Sequence, residues 1–544
     1  TVKRFKLFLA MAALACAIGL TVKYGSTYRP VVGPVREIEE IWALEDAREE
    51  SGEPLVTRLF CNGVPMAYDA ENNVFYGSLG LENGAQWPEI KLTASEEAAK
   101  GLSLCFADDY GFDDCDAAIR EGYSYQIFAY TDTAYSYAEV VFTGLPLVNV
   151  TADQTIERED VPAQIEIALA AEGLQTNGRI HKRGGASILN DKVGYKLEFT
   201  RTTDGKKKIY REIPGMGTDS QVILLPMNAL DTTMMRDRLS WALYARLTRR
   251  DEPFSARKTQ YCELFLNGEY RGVYLMLEPF SVRQEVAKAG EERLTTDSVY
   301  RTAVISLSHG RPCMEDPYSA ATGFELYYPM DGEPDFSPLA DYFALLGETD
   351  DAAFMRRAAQ IIDLDSALRY DVVLQLFGLT DNVINNMYTW AQNSRGHTRY
   401  RFDFWDLDVS WGLKRDEIGE MHENWVFFPL VDRLLRADEE GGVRKRYGEI
   451  YCEVREKAFD AETVEALVGQ YAHELNDSGA MARNAERWET ENYAADGYEL
   501  VAFAAERIAL LDEPVRAMSA GEEIDLRFLE KTNYDDKGTP LSEE

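Results

Sequence analysis

The chain has 544 residues, 45% hydrophobic and 11% aromatic, which excludes a mainly disordered polymer and leaves room for two or three domains. Its 93 acidic against 57 basic residues give a formal charge of -36, which excludes tight non-specific binding to nucleic-acid phosphates. A basic protein partner fits this charge better.

Lys3-Arg4-Phe5-Lys6 followed by an apolar run from Leu7 to Leu20 has the layout of an export signal. Residues 1–27 therefore read as a signal peptide or as a membrane or lipid anchor, with Ala13-Leu14-Ala15 as a cleavage site before Cys16, itself a weak lipoprotein candidate. The run is short for a full membrane span. The expected location is extracellular or at the cell surface. Tyr28 to Pro34 reads as a stiff tether and Glu37 to Glu50 as a short charged helix, together a linker over 28–53. From 54 to 150, short apolar runs (VFYGSLGL, EIKLTA, LSLCFA, YSYQIFAY, AEVVFTGLPLV) alternate with turn clusters, the pattern of a small β-sandwich. The acidic turn Asp108 to Asp114 lacks the EF-hand spacing and reads as a solvated loop. Beyond Cys16 there are six cysteines and no CxxC pair, so zinc is not supported; single buried thiols are expected, although an oxidising compartment would permit a Cys105 to Cys115 bridge.

A second pattern starts near Asp153. Gln164 to Ala170 and Tyr195 to Phe199 read as strands, and between them Arg183-Gly184-Gly185 beside Ser187 forms a turn whose N–H groups could face an anion. Asp231 is placed to cap a helix from Thr232, with Met235, Leu239, Ala242, Leu243 and Leu247 on one face. Tyr261 to Leu266, Asn267-Gly268 and Tyr270 to Leu277 form a hairpin signature ending at Glu278-Pro279. The stretches 350–379 and 428–515 are mostly helical, with Asp365 as the expected cap before SALRYDVVLQLF. Strands come first and helices second, a division that a two-lobed phosphotransferase shares with other α+β folds.

Chemistry concentrates in Leu379 to Gly412. Asp381 is followed by Asn385 and Asn386, and the aromatic strand Tyr400 to Phe404 runs into Asp406 and Asp408. If that strand stays regular, both carboxylates share a face with Tyr400, Phe402 and Phe404. A carboxylate there is costly unless it is paired or holds a metal. The five-residue step from Asp381 to Asn386 also reproduces the Asp-to-Asn spacing of the kinase catalytic loop, with Leu379-Thr380 in place of His-Arg.

Together, the RGGAS turn with KVGYKLEF, DTTMMRDRL, ELFLNGEYRGVYLMLEPF, LTDNVINNMYTW and FWDLDVSWG resemble the spore coat protein H (CotH) kinase family. FFPLVDRLL, RKRYGEIY and Asn484 to Trp488 fit its helical tail, so the resemblance runs from about Asp153 to Met518. It implies an α+β fold in which a two-lobed protein-kinase-like domain, strand-rich N-lobe and helical C-lobe, spans 151–518 behind the sandwich, with an acidic tail over 519–544. It implies an atypical protein kinase using ATP and Mg2+ on a protein substrate, which the charge suggests is basic. Asp381 would be the catalytic base, Asn386 a metal ligand and Asp406 the metal-binding aspartate, with Asp408 a second ligand or a structural partner. Lys196 would hold the α- and β-phosphates, with Arg183 as the alternative; Glu278 would mark the start of the hinge that holds adenine, or form a salt bridge.

Two features depart from the family pattern. The helix after Thr232 carries no Glu to pair with the phosphate lysine, Arg236 being the charged residue that matches, and the turn reads RGGAS where Asn and Ser are common in the middle. The alternative reading is a catalytically inactive surface adhesin or binding module. A secreted glycoside hydrolase ranks last, because Asp406 and Asp408 are too close in sequence to flank a sugar.

Overall fold

The computed structural model describes residues 29–81, 90–95, 100–107, 115–184, 186–227, 231–302, 323–331, 334–413, 425–490 and 495–526. The segment expected to direct export, the Asp108 to Asp114 turn, Cys16, Cys313 and most of the acidic tail lie outside the described residues. Among those described, no helix is long and apolar enough to cross a membrane.

Residues 32–143 form a seven-stranded sheet and a three-stranded sheet. One core fills the space between them, with Leu59 and Leu92 from the smaller sheet against Phe75, Ile127, Val140 and Phe142 from the larger. The stretch expected to be a tether is drawn into this unit, because Val32–Gly33 pairs in parallel with Leu104–Cys105. A helix does follow, Ile38–Asp46. Cys61, Cys105, Cys115 and Cys262 are buried, and Cys105 is a free thiol, so Cys105 and Cys115 are not bridged to each other; burial holds the Cys61 thiol up at about 12.

The apolar run AEVVFTGLPLV is divided at Gly144 to Pro146. Ala134–Thr143 stays in the sandwich, whereas Leu147–Thr151 opens a closed barrel of seven strands. The others are Val161–Leu169, Glu172–Arg183, Gly194–Thr200, Gln221–Leu225, Glu269–Leu277 and Thr259–Leu266. Parallel pairing of Leu147–Val150 with Glu263–Leu266 shuts the barrel. The expected hairpin is present, turning at Asn267 and Gly268 with φ of 53° and 77°. Tyr195, Leu197, Phe199, Leu264, Tyr274 and Met276 point inward, while Ile223, Tyr261, Leu275 and Leu277 face out into the core of the helical lobe. Burial on both faces explains why YLML is continuously apolar.

The helical lobe carries an inserted antiparallel sheet, ordered Phe324–Tyr328, Ser298–Thr302, Met387–Ser394, His397–Phe404. Leu364–Phe377 packs beneath it. Its cap is Asp363, which accepts the Ser366 N–H at 3.3 Å, rather than the expected Asp365; Asp365 binds Arg446 at 2.7 Å. At its other end Gly378 takes φ 66°, and a Cβ there would meet the Phe503 ring. The Ala480–Arg487 helix returns to the barrel, where Arg483 grips the fully buried Glu263 through two bonds of 2.9 and 2.8 Å and Tyr270 donates to the same carboxylate.

Two expectations follow. Arg483→Met leaves Glu263 buried without its cation, and breaking such a pair costs about 3–5 kcal/mol, read as a lowered urea midpoint; an unchanged midpoint would show the pair to be inert. Asp371, fully buried, accepts from Tyr447 at 2.7 Å and Gln375 at 3.3 Å, and burial pushes its carboxyl up to about 7. Because the folded value exceeds the unfolded one of about 3.9, the folded state holds the proton more tightly. The stabilising contribution is complete below about pH 4, declines as pH rises towards about 7 and is gone above it. Asp371→Asn cannot ionise, so calorimetry across that window should show a flatter decline in melting temperature than for the unaltered chain.

Candidate active site

The site grows from the open end of one hairpin. Met387 and Phe404 are register partners, so Asn386 and Trp405, one step beyond, lie side by side. The Trp405 N–H donates to the Asn386 carbonyl at 3.0 Å, and Asn382 Nδ2 donates to the Trp405 carbonyl at 2.8 Å. Asn386 and Asp406 both adopt positive φ, 56° and 57°, which Asn and Asp tolerate better than other side chains. Asp381 opens the single-turn helix Asp381–Ile384, and Asn386 Nδ2 donates to its Oδ2 at 2.9 Å. The pair predicted from spacing is therefore a hydrogen-bonded pair, and both members are buried.

Asp406 and Asp408 do not share a face as expected. The strand ends at Phe404, and the positive φ at Asp406 breaks the alternation on which that expectation rested. Asp406 is left half-buried beside Asn386, and among the described residues its carboxylate has no hydrogen bond or ion pair. Asp408 is exposed, and its carbonyl accepts the Ser410 N–H at 3.1 Å.

Arg183 and Lys196 belong to the barrel. Since Tyr195, Leu197 and Phe199 point inward, Lys196 points out; its register partner Ile223 faces the helical lobe, and Lys196 shares that side. Arg183 ends its strand at the glycine turn, where Gly184 takes φ 128° and a Cβ would run into Ser187 Oγ. The Arg183 charge is felt at Asp237 and Tyr327, and that of Asp406 at Asp237 and Tyr388, which puts the end of the Arg183 strand and the acidic loop in one neighbourhood, here called the cleft. Neither Arg183 nor Lys196 has a side-chain hydrogen bond or ion pair among the described residues. Burial, then Lys208 nearby, lowers the Lys196 ammonium from its ordinary value, with Arg183 and Arg179 acting in the same sense against Asp160.

Glu278 is not part of this group. Its carboxylate binds Arg250 at 2.7 Å and accepts the Lys258 N–H at 3.1 Å, while its own N–H donates to the Lys258 carbonyl. That is the salt-bridge alternative for its side chain.

The helix expected from Thr232 starts later, at Arg236–Ala245, because Met234 takes φ 57°. Asp231 still accepts the Thr233 and Arg236 N–H groups. This helix docks the acidic loop: Arg236 Nε donates to the Ser410 carbonyl at 3.1 Å, Trp411 Nε1 to Ser240 Oγ at 2.9 Å, and the Leu407 N–H to Asp237 Oδ1 at 3.3 Å. Asp237 was not foreseen. It is 3% exposed, and its Oδ2 has no hydrogen-bond partner among the described residues. Burial, then the adjacent Asp406, pushes its carboxyl up to about 7. The available signal was Arg-Asp-Arg inside a helix with Trp241 and Leu243, since three successive charges cannot all lie on one solvated face.

In chemical terms the neighbourhood holds oxygen donors, Asp406 with the Asp381–Asn386 pair, and two cations, Arg183 and Lys196, without side-chain partners among the described residues. Oxygen donors of this kind suit a hard divalent cation such as Mg2+. Among the described residues no three His, Cys, Asp or Glu converge on a common point, and Mg2+ characteristically uses one or two carboxylates together with substrate phosphates. No curated protein matches the chain in sequence. Residues 180–511, more than half of the chain and including every residue described above as part of the cleft, match the family model described as CotH kinase protein, and the chain belongs to the CotH kinase family.

Proposed function

We propose that the chain is an exported, ATP-dependent protein kinase that transfers the γ-phosphoryl group to a Ser or Thr hydroxyl of a surface or secreted protein. One observation carries the reading. Arg183 and Asp406 act on the same buried group, Asp237, and Lys196 is near Arg183, yet none of the three has a side-chain partner among the described residues. A polyphosphate with its cation supplies what each of them lacks. Asp381, held by Asn386, accepts the proton of the attacking hydroxyl as its oxygen bonds to the γ-phosphorus; the bond to the bridging oxygen breaks and ADP leaves. Lys196 and Arg183 orient the phosphates. Mg2+, when bound, would be held by Asp406 and Asn386 and would neutralise phosphate charge. The formal charge of -36 favours a basic acceptor, and the basic-then-apolar start of the sequence favours an extracellular or surface location with attachment through residues 1–27.

Incubation with radiolabelled ATP, Mg2+ and a basic acceptor protein tests the reaction. Asp381→Asn should lower transfer by about 10²- to 10⁴-fold, with Asp406→Asn also impaired; equal label in all three proteins would overturn the assignment. Nucleotide binding is read separately by thermal shift. At a hundredfold excess over Kd, ATP with Mg2+ stabilises by about 2.7 kcal/mol, and the combined Arg183→Ala, Lys196→Ala variant should lose most of that gain. No shift in the unaltered protein would favour the inactive surface-binding reading.

A further inference from the structure

Asp237 is a buried carboxylate left half-satisfied. Its Oδ1 accepts one long bond from Leu407, and its Oδ2 has no partner among the described residues. Such an atom is expensive inside a protein and calls for a specific explanation. The flanking arginines do not provide one. Arg236 is committed to Asp231, Glu499 and the Ser410 carbonyl, and Arg238 binds Glu474 at 2.7 Å between the rings of Tyr261 and Tyr471. Arg183 is close enough for its charge to register but makes no bond to Asp237. The charge felt most strongly at Asp237 is another negative one, Asp406.

Two carboxylates are thus held together from opposite sides, one by a helix and one by a loop anchored to that helix through Leu407, Ser410 and Trp411. The acids are not clustered on a solvated surface, where mutual repulsion would be screened. A fold needs no such pairing for packing, since Asn at position 237 would keep the Leu407 bond and remove the repulsion.

We propose that Asp237 is a further ligand for the divalent cation of the cleft, its Oδ2 joining Asp406 on the same ion. The proposal rests on the kinase reading for the nature of that ion. It assigns the helix a role that sequence spacing did not suggest: where a carboxylate in this position could have paired with the phosphate lysine, Asp237 makes no ion pair with Lys196 and lies beside the acidic loop instead.

The test uses Mn2+ as a paramagnetic substitute, titrated by electron paramagnetic resonance into the full chain with a non-hydrolysable ATP analogue. Asp237→Asn should weaken Mn2+ binding at least about tenfold, as should Asp406→Asn, while without metal Asp237→Asn should melt no lower than the unaltered protein. Mn2+ binding within twofold of the unaltered protein would overturn the proposal, as would a lowered metal-free melting temperature with binding retained. Should Asp237→Asn not fold, the anomalous-difference map of the unaltered Mn2+ complex decides. An ion at about 2.1 Å from Oδ2 supports the assignment, and an ion on Asp406 alone removes it. If the unaltered chain binds neither Mn2+ nor nucleotide, the kinase reading falls first and is recognised as such, because Asp406→Asn then changes nothing.

Discussion

The structure depends on burying three consecutive charged residues, Arg236, Asp237 and Arg238, at 4%, 3% and 7% exposure. Successive residues on a helix point about 100° apart, so such a triplet spans about 200° of the helix and can be buried only where protein packs on more than one side. Each residue then answers to a different neighbour. Arg236 reaches the acidic loop and the C-terminal helix, Asp237 the backbone beside Asp406, and Arg238 the tail helix Ala461–Asp477 while lying over barrel residue Tyr261. Barrel, acidic loop and tail are thereby fixed relative to one another by one element of ten residues. Charges buried in this way are weak contributors to net stability but strict about geometry, since each is satisfied in a single arrangement.

How much could be read in the sequence depended on how local the determining contact was. The Asn267-Gly268 hairpin and the Asp381–Asn386 pair are set by neighbours in the chain, and both were legible. Closure of the barrel was not, because it pairs Leu147–Val150 with strand residues more than a hundred positions later. Nor could composition show that the run through Val150 serves two domains. The placement of Asp406 against Asp408 was lost for a different reason, since one positive φ cancels a period-two argument for everything after it. Asp363 displaced Asp365 as a helix cap because both are plausible by type and Arg446, distant in sequence, claims the second. Asp237 showed only as the middle of a charged triplet in a helix, because its meaning comes from Leu407 and Asp406, which only the fold brings near.

Family resemblance located the right segments without sorting chemistry from scaffold. Asn484 to Trp488 matches the helical tail, and here it is structural: Asn484 Oδ1 accepts from Lys192 Nζ at 2.9 Å and from the Val273 N–H at 3.0 Å, and Trp488 Nε1 donates to the Arg271 carbonyl. Lys192 lies in the same KVGYKLEF stretch as Lys196. Its ammonium is held low, at about 7, by burial, and it is spent on the Val273 carbonyl and Asn484 rather than turned to the cleft. Two lysines four positions apart therefore have separate duties, one joining the lobes and one without a side-chain partner among the described residues.

The Glu263–Arg483 pair also bears on the order in which the chain is made. A ribosome delivers Glu263, deep in the barrel wall, 220 residues before the arginine that neutralises it. Until that arginine arrives the barrel strands can close only around an uncompensated charge or with the carboxyl protonated, either of which favours the open form. The apolar core of the sandwich is drawn from Val56 to Phe142 and can condense while the barrel waits, although Thr143 at its end later donates to the Ser478 carbonyl. Final closure of the strand-rich lobe is thus tied to emergence of the C-terminal helices, which makes the cleft between them a late product of folding.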